Sequence, residues 1–174
     1  MLPASKNISL IGFMGTGKSS IGKALGRKSG RAVVDIDLWI EAAQKRKIRE
    51  IFEKDGEARF RELENQAIDQ VAKSQKGVVI TTGGGAVLDP ANLRALKESG
   101  WVVSLSASPE TIFERVKDSR HRPLLKGGDL RSEIHRLLEI RKPFYATADF
   151  EFKTDGLTPD QVAQVILEAL EHEA

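Results

Sequence analysis

The run Gly12-Phe13-Met14-Gly15-Thr16-Gly17-Lys18-Ser19 fits G-x-x-x-x-G-K-[ST], the pattern of a phosphate-binding loop. Its chemistry follows from residue type. Glycine lacks Cβ, so the chain can take positive φ and turn successive N–H groups onto phosphate oxygens. A helix starting near Gly17 adds the positive end of its dipole, which favours an anion. Lys18 then reaches the β- and γ-phosphates of a nucleotide, and the Ser19 hydroxyl ligates Mg²⁺. The flanks agree: the apolar residues Ile8, Leu10 and Ile11 precede the loop, and a helical pattern follows it.

Four other groups of residues could act beside that loop. Asp35 ends a short apolar stretch, the position for a carboxylate that orients Mg²⁺ directly or through water. Asp37 lies two residues on and points the same way if the chain is still extended, where it could take a hydrogen bond or a proton from a substrate hydroxyl. The alternative for Asp37 is the N-cap of a helix beginning at Leu38. In Phe60-Arg61-x-x-Glu64, helical periodicity puts Glu64 inside an apolar stripe and Arg61 at its edge, which suits an anionic ligand better than an ordinary surface pair. Arg141 projects about 20° from Leu130 on a stripe shared with Ile134 and Leu137. An arginine there must find an anion or escape past the helix end before Pro143. Finally, residues 117–128 carry Arg120, His121, Arg122 and Lys126, and read either as a basic lid over phosphates or as a solvated loop.

The elements that must position these groups alternate. Strands are expected at Ile8 to Phe13, Ala32 to Val34, Val78 to Ile80, Trp101 to Leu105 and Phe150 to Phe152. Helices are expected from Ser19 to Lys28, from Leu38, around Ile48 to Phe52, and after Gly56, where Phe60, Leu63, Ala67 and Val71 share one face. Further helices start at Asp89-Pro90, Ser108-Pro109-Glu110, Asp129 and Thr158-Pro159. In the last, Val162, Val165, Ile166 and Leu170 are expected to face inward. Alternation of this kind predicts an α/β fold, a five-stranded parallel sheet sandwiched by helices. Such a sheet binds ligands at the carboxyl ends of its strands. The glycine-rich loop, the Asp35/Asp37 pair and Gly83-Gly84-Gly85 each follow a strand, so all three emerge on one edge.

Bulk properties narrow the class. A chain of 174 residues with 40% hydrophobic and 30% charged residues suggests one domain, 1–174, with a single substantial core. A formal net charge of +2 is too small to imply nucleic-acid binding. The absence of cysteine excludes disulfides and thiol catalysis, and His121, His135 and His172 lack a metal-binding spacing. Without a signal-like N-terminus or a membrane-length apolar run, a soluble cytoplasmic protein with no membrane partner is expected. The Lys45-Arg46-Lys47 run reads as a solvated helix end.

Taken together, Gly12–Ser19, Asp35-Ile36-Asp37, Phe60-Arg61-x-x-Glu64, Gly83-Gly84-Gly85-Ala86-Val87, Arg122-Pro123-Leu124-Leu125 and Arg141-x-Pro143-x-Tyr145 resemble the shikimate kinase family. They run in the expected order from residue 12 to residue 145. The resemblance implies a phosphate-loop NTPase fold of the nucleoside-monophosphate-kinase type and transfer of the ATP γ-phosphate to the 3-hydroxyl of shikimate. It implies ATP contacts at Gly12, Gly15, Thr16, Gly17, Lys18, Ser19, Ser20, Arg115 and Arg122, with Mg²⁺ at Ser19 and Asp35. By motif position, Asp37, Arg61, Gly83, Gly84, Gly85 and Arg141 hold shikimate, the two arginines on its carboxylate. Phe52 and Phe60 line the pocket within a substrate-binding helical region at about 37–64, and Glu64 orients Arg61. Lys18, Asp37 and Arg122 are the implied catalytic residues, Arg122 from a lid at about 117–128. A monomer is expected. One departure concerns adenine: some members carry a basic residue before the proline of the adenine loop, whereas Leu157-Thr158-Pro159 has none.

Two rival readings remain at this point. A kinase of similar fold could act on another small hydroxylated anion such as gluconate. A nucleotide-dependent switch is the other, since Lys153-Thr154-Asp155 mimics the tail of the guanine-reading N-K-x-D motif; Phe152 stands where its asparagine belongs.

Overall fold

The computed structural model describes residues 2–118 and 129–173. Most of the expected lid, with Arg120, His121, Arg122 and Lys126, lies outside the described residues.

Five strands form one sheet in which every pair is parallel: β1 (Asn7–Gly12), β2 (Val33–Asp35), β3 (Val79–Thr81), β4 (Gly100–Ser106) and β5 (Phe150–Lys153), in the order β2-β3-β1-β4-β5. β1 is central and wholly buried, which is why its sequence is a nearly continuous apolar run rather than an alternating one. From it the chain runs to one side for β2 and β3, and then to the other for β4 and β5. The switch of direction places the loop after β1 beside the crevice where such sheets bind ligands.

Seven helices are described: α1 (Lys18–Ser29), α2 (Ile36–Gln44), α3 (Ile48–Ser74), α4 (Pro90–Ser99), α5 (Pro109–Val116), α6 (Leu130–Tyr145) and α7 (Pro159–His172). One face of the sheet packs Ile8, Leu10, Val79 and Val103 against Ile21 and Leu25 of α1 and Ile166 and Leu170 of α7. The other packs Ile11, Ile80 and Val102 against Ile40, Ile51, Leu63, Ile68 and Leu96 of α2, α3 and α4. Two layers of helix on a parallel sheet confirm the expected fold class.

Local chemistry sets the helix ends as anticipated. Asp89, Ser108, Asp129 and Thr158 each accept a hydrogen bond from a first-turn N–H of the helix they cap, and proline follows in α4, α5 and α7. α1 stops at Gly30, which takes the left-handed conformation.

Two expectations are corrected. Val165 is 46% exposed, because the inward stripe of α7 is centred on Ala163, Ile166 and Leu170 and leaves position 165 on its flank. The chain is no longer extended at Asp37. Helix α2 begins at Ile36 with Asp35, not Asp37, as its N-cap, so Asp37 sits in the first helical turn, where the Asp35 charge acts on it. The two helical segments expected on either side of Gly56 are present within α3 and meet at a break, where Gly56 adopts φ 82° and ψ 171°, outside the helical region.

Candidate active site

The carboxyl ends of the strands open on a cleft of about 500 Å³. The phosphate loop forms one wall. Gly12, Gly15 and Gly17 hold φ of 142°, 79° and 95°, and a Cβ on Gly12 would lie 2.3 Å from the Leu105 carbonyl oxygen. Thr16 is fully buried and donates its hydroxyl to the Phe13 carbonyl at 2.7 Å, so its side chain braces the loop from within. Lys18 curls over the loop, its Nζ donating to the Gly12 and Phe13 carbonyls at 2.7 and 2.9 Å. That position keeps the ammonium at the mouth of the loop, above the start of α1. Ser19 and Ser20 are exposed on the same wall. Arg115 crosses from α5 to bond the Gly15 carbonyl at 3.0 Å and the Thr154 hydroxyl and carbonyl at 3.0 and 3.2 Å, tying the loop to the end of β5.

The opposite wall comes from α3, α6 and the glycine turn after β3. Glu64 is 0% exposed and accepts from Arg61 Nη1 at 2.6 Å across one turn of α3. Burial raises the Glu64 carboxyl, while the Arg61 and Arg141 charges pull it back down. Arg141 is 5% exposed near the end of α6, with its guanidinium 5.5 Å from the Phe13 ring centroid. It faces the cleft rather than escaping past the helix end. The kink at Gly56 brings Phe52 and Phe60 to 4.7 Å between ring centroids. Eight residues of straight helix would separate them by about 12 Å along the axis. The paired rings make an apolar flank beside the charged groups.

Three buried polar atoms without a hydrogen-bond partner among the described residues line this cleft: Asp37 Oδ1, Glu64 Oε1 and Arg141 Nη1. All three converge on the glycine turn. A Cβ on Gly83 would stand 2.9 Å from Glu64 Oε1 and 3.7 Å from Asp37 Oδ1, and one on Gly84 would stand 3.5 Å from Arg141 Nη1. A Cβ on Gly85 would lie 2.5 Å from Arg61 Nη2. The triple glycine is thus a matter of space: side chains here would displace the two arginines and two carboxylates around it. Buried, unpaired polar groups normally cost stability, and their clustering marks where a polar ligand completes the structure.

Asp37 is half-buried, and its carboxyl is pushed up to about 6 by burial first, then by the charges of Asp35 and Glu64, against the pull of Lys18. Asp35 has a different position. Its oxygens accept from the Leu38 N–H at 3.1 Å and the Thr81 hydroxyl at 2.9 Å, leaving each with a further lone pair. Among the described residues no three His, Cys, Asp or Glu side chains form a metal cage.

Some contributors escaped sequence reasoning. Thr82 and Ile48 also line the cleft. Tyr145 stood in a motif without a role, yet its hydroxyl bonds the Gly84 carbonyl at 2.6 Å. Its spacing four residues after Arg141 on one helix was the available signal. Asp155, of the guanine-like tail, is occupied in accepting the Ser108 N–H at 3.0 Å.

The family model for shikimate kinase matches residues 14–171. The chain belongs to the shikimate kinase family. Among relatives in that family, the shikimate kinase of Caldicellulosiruptor saccharolyticus is 49% identical over 162 residues, covering 93% of this chain and 94% of its own. That of Thermodesulfovibrio yellowstonii is 47% identical over 166 residues, 95% of each chain. The solved shikimate kinase from Acinetobacter baumannii, in complex with shikimate, superposes with a TM-score of 0.93 at 35% identity, covering 97% of this chain and 94% of that one. A gluconokinase from Sinorhizobium meliloti, at TM-score 0.64 and 19% identity over 98% of this chain and 94% of its own, shares the fold. Family membership makes the chain a phosphotransferase with a nucleotide-binding phosphate loop. No helix among the described residues is long and apolar enough to cross a membrane.

Proposed function

We propose that this cleft holds ATP and shikimate side by side and transfers the γ-phosphate to the 3-hydroxyl of shikimate. One observation carries the assignment of the acceptor: Arg141, almost fully buried, directs an unpaired Nη1 at the glycine turn, with Arg61 beside it. Two guanidinium groups converging on a sheltered gap suit a carboxylate, which can accept from both with charge-assisted hydrogen bonds that an uncharged polyol does not offer. The chain's membership of a family whose members are named shikimate kinase supports the same acceptor.

Roles then divide by wall. The loop N–H groups of Gly12, Gly15, Thr16, Gly17, Lys18, Ser19 and Ser20 and the start of α1 hold the phosphates, and Arg115 lies where adenine docks. Ser19 and Asp35 hold Mg²⁺, which shields the phosphate charge when bound. The acceptor oxygen attacks the γ-phosphorus, the bond to the β–γ bridging oxygen breaks, and ADP leaves. The hydroxyl proton passes to Asp37, whose raised basicity lies near working pH. Lys18 stabilises charge on the transferring group. Gly83, Gly84 and Gly85 admit the acceptor closely, Phe52 and Phe60 flank its ring, and Glu64 holds Arg61 in aim. Arg122, outside the described residues, is assigned to the transferring phosphate on its motif alone, as is the lid at 117–128. We read the enzyme as a monomer, and a cytoplasmic setting would supply the ATP. We place the whole of 1–174 in one kinase domain.

A coupled ADP-release assay with Mg-ATP tests the acceptor. Turnover with shikimate and none with gluconate is expected. Turnover of gluconate without shikimate would overturn the assignment.

A further inference from the structure

Tyr145 follows Arg141 by four residues on α6, so both side chains leave one face of the helix. Its ring packs against both hydrophobic clusters that flank α6 at this end. Its hydroxyl donates to the Gly84 carbonyl at 2.6 Å, and the Arg141 guanidinium interacts with the same phenol oxygen. Arg141 Nη1 in turn faces Gly84. Arg141, Tyr145 and Gly84 therefore form a closed triangle joining α6 to the turn after β3.

The remaining bonds of that turn show what the hydroxyl adds. The Gly83 carbonyl accepts from Ala86 N at 3.2 Å and the Gly85 carbonyl from Leu88 N at 3.1 Å, both local. The Ala86 carbonyl accepts from Asn92 Nδ2 at 2.9 Å, from α4. Gly84 alone in the turn is held from the helix that carries Arg141. Burial pushes the Tyr145 phenol up to about 12 against the opposing effect of Arg141, so the hydroxyl remains a donor across the pH range of a cytosolic enzyme.

We infer that Tyr145 is a positioning residue for the acceptor, its hydroxyl fixing the distance between Arg141 and the glycine turn and thereby the width of the gap that grips the carboxylate. This rests on the assignment of Arg141 to that carboxylate. Replacing Tyr145 by Phe keeps the ring packing and removes only the hydroxyl, freeing Gly84 and Arg141 to move apart.

Steady-state kinetics of Tyr145→Phe, Arg141→Ala and the double variant test the inference, with thermal melting to compare their folds. In Tyr145→Phe the shikimate KM should rise about two- to tenfold, the range of one buried neutral hydrogen bond, while kcat and the ATP KM stay within about twofold. On the Arg141→Ala background the same change should have less than about half that effect, because the two groups act as a unit. If Arg141→Ala raises the shikimate KM and Tyr145→Phe does not, the inference fails and the carboxylate assignment stands. A parallel rise in both KM values with a fall in kcat and Tm would make Tyr145 merely structural. An unchanged shikimate KM in Arg141→Ala would remove the carboxylate assignment and the inference with it.

Discussion

Arg61 and Glu64 meet at 2.6 Å across one turn of α3, the carboxylate fully buried and the guanidinium at the edge of the cleft. The pair has a division of labour. Glu64 spends one oxygen on Arg61 and so fixes the direction in which the guanidinium's remaining donors point. Glu64→Ala removes that anchor and leaves Arg61 with Glu57, whose Oε1 already accepts from Nη2 at 3.4 Å. The shikimate KM should rise at least about tenfold, the lower end for losing a charge-assisted contact of ~1.5–3 kcal/mol, with kcat changed far less. Kinetics at saturating ATP provide the check.

Gly85→Ala probes the same guanidinium from the other side. Its methyl group would stand within 3 Å of three Arg61 atoms, all at the far end of a flexible side chain. The arginine should give way and the backbone should not. We therefore expect melting within a few degrees of the parent, since ~1 kcal/mol shifts Tm by about 2–4 °C in a domain of this size, together with a raised shikimate KM. A collapse of Tm with an unchanged KM would assign the glycine to folding alone.

Asp37 links activity to pH. Its carboxyl stands at about 6 instead of 3.8, burial being the main cause. Because the folded-state value is raised, the stability associated with the neutral form is complete below about 3.8 and is lost as pH rises through about 6. Asp37→Asn should accordingly be more stable than the parent at pH 8, by roughly 1–3 kcal/mol, with the gap closing near pH 4, as denaturant or thermal unfolding at the two pH values would read. In the parent, kcat/KM for shikimate at saturating Mg-ATP should fall as pH drops through about 6. A base role predicts that Asp37→Asn loses kcat far more than it raises KM; the reverse split would leave Asp37 a positioning group.

Lys18→Ala should abolish turnover, by at least about a hundredfold in kcat, because charge stabilisation at the transferring phosphate is lost. Single-turnover measurement at saturating substrates separates this from weakened ATP binding.

Much of this architecture was legible because it rests on local pattern. The apolar run at Ile8 to Ile11 announced a buried central strand, and Asp89, Ser108, Asp129 and Thr158 announced helix starts through hydroxyl or carboxylate caps. Arg141 was legible for a related reason: an arginine among Leu130, Ile134 and Leu137 has to be explained by a partner. What was missed depends on the third dimension. Asp35 and Asp37 have a spacing that reads as one face of a strand, but the cap on Leu38 starts α2 a residue after Asp35 and puts Asp37 in a helical turn. The glycines after β3 read as a turn; that they make room for Arg61, Glu64 and Arg141 depends on helices distant in sequence. Tyr145 bonds a backbone carbonyl 61 positions away, and a carbonyl has no signature in sequence.

The central claim is that Arg61 and Arg141 read a carboxylate across from the phosphate loop. Calorimetric titration with shikimate and with its neutral carboxamide addresses it directly. The acid should bind at least about tenfold more tightly than the amide, as expected when charge-assisted contacts of ~1.5–3 kcal/mol are weakened to neutral ones. Equal affinity for the two would contradict it.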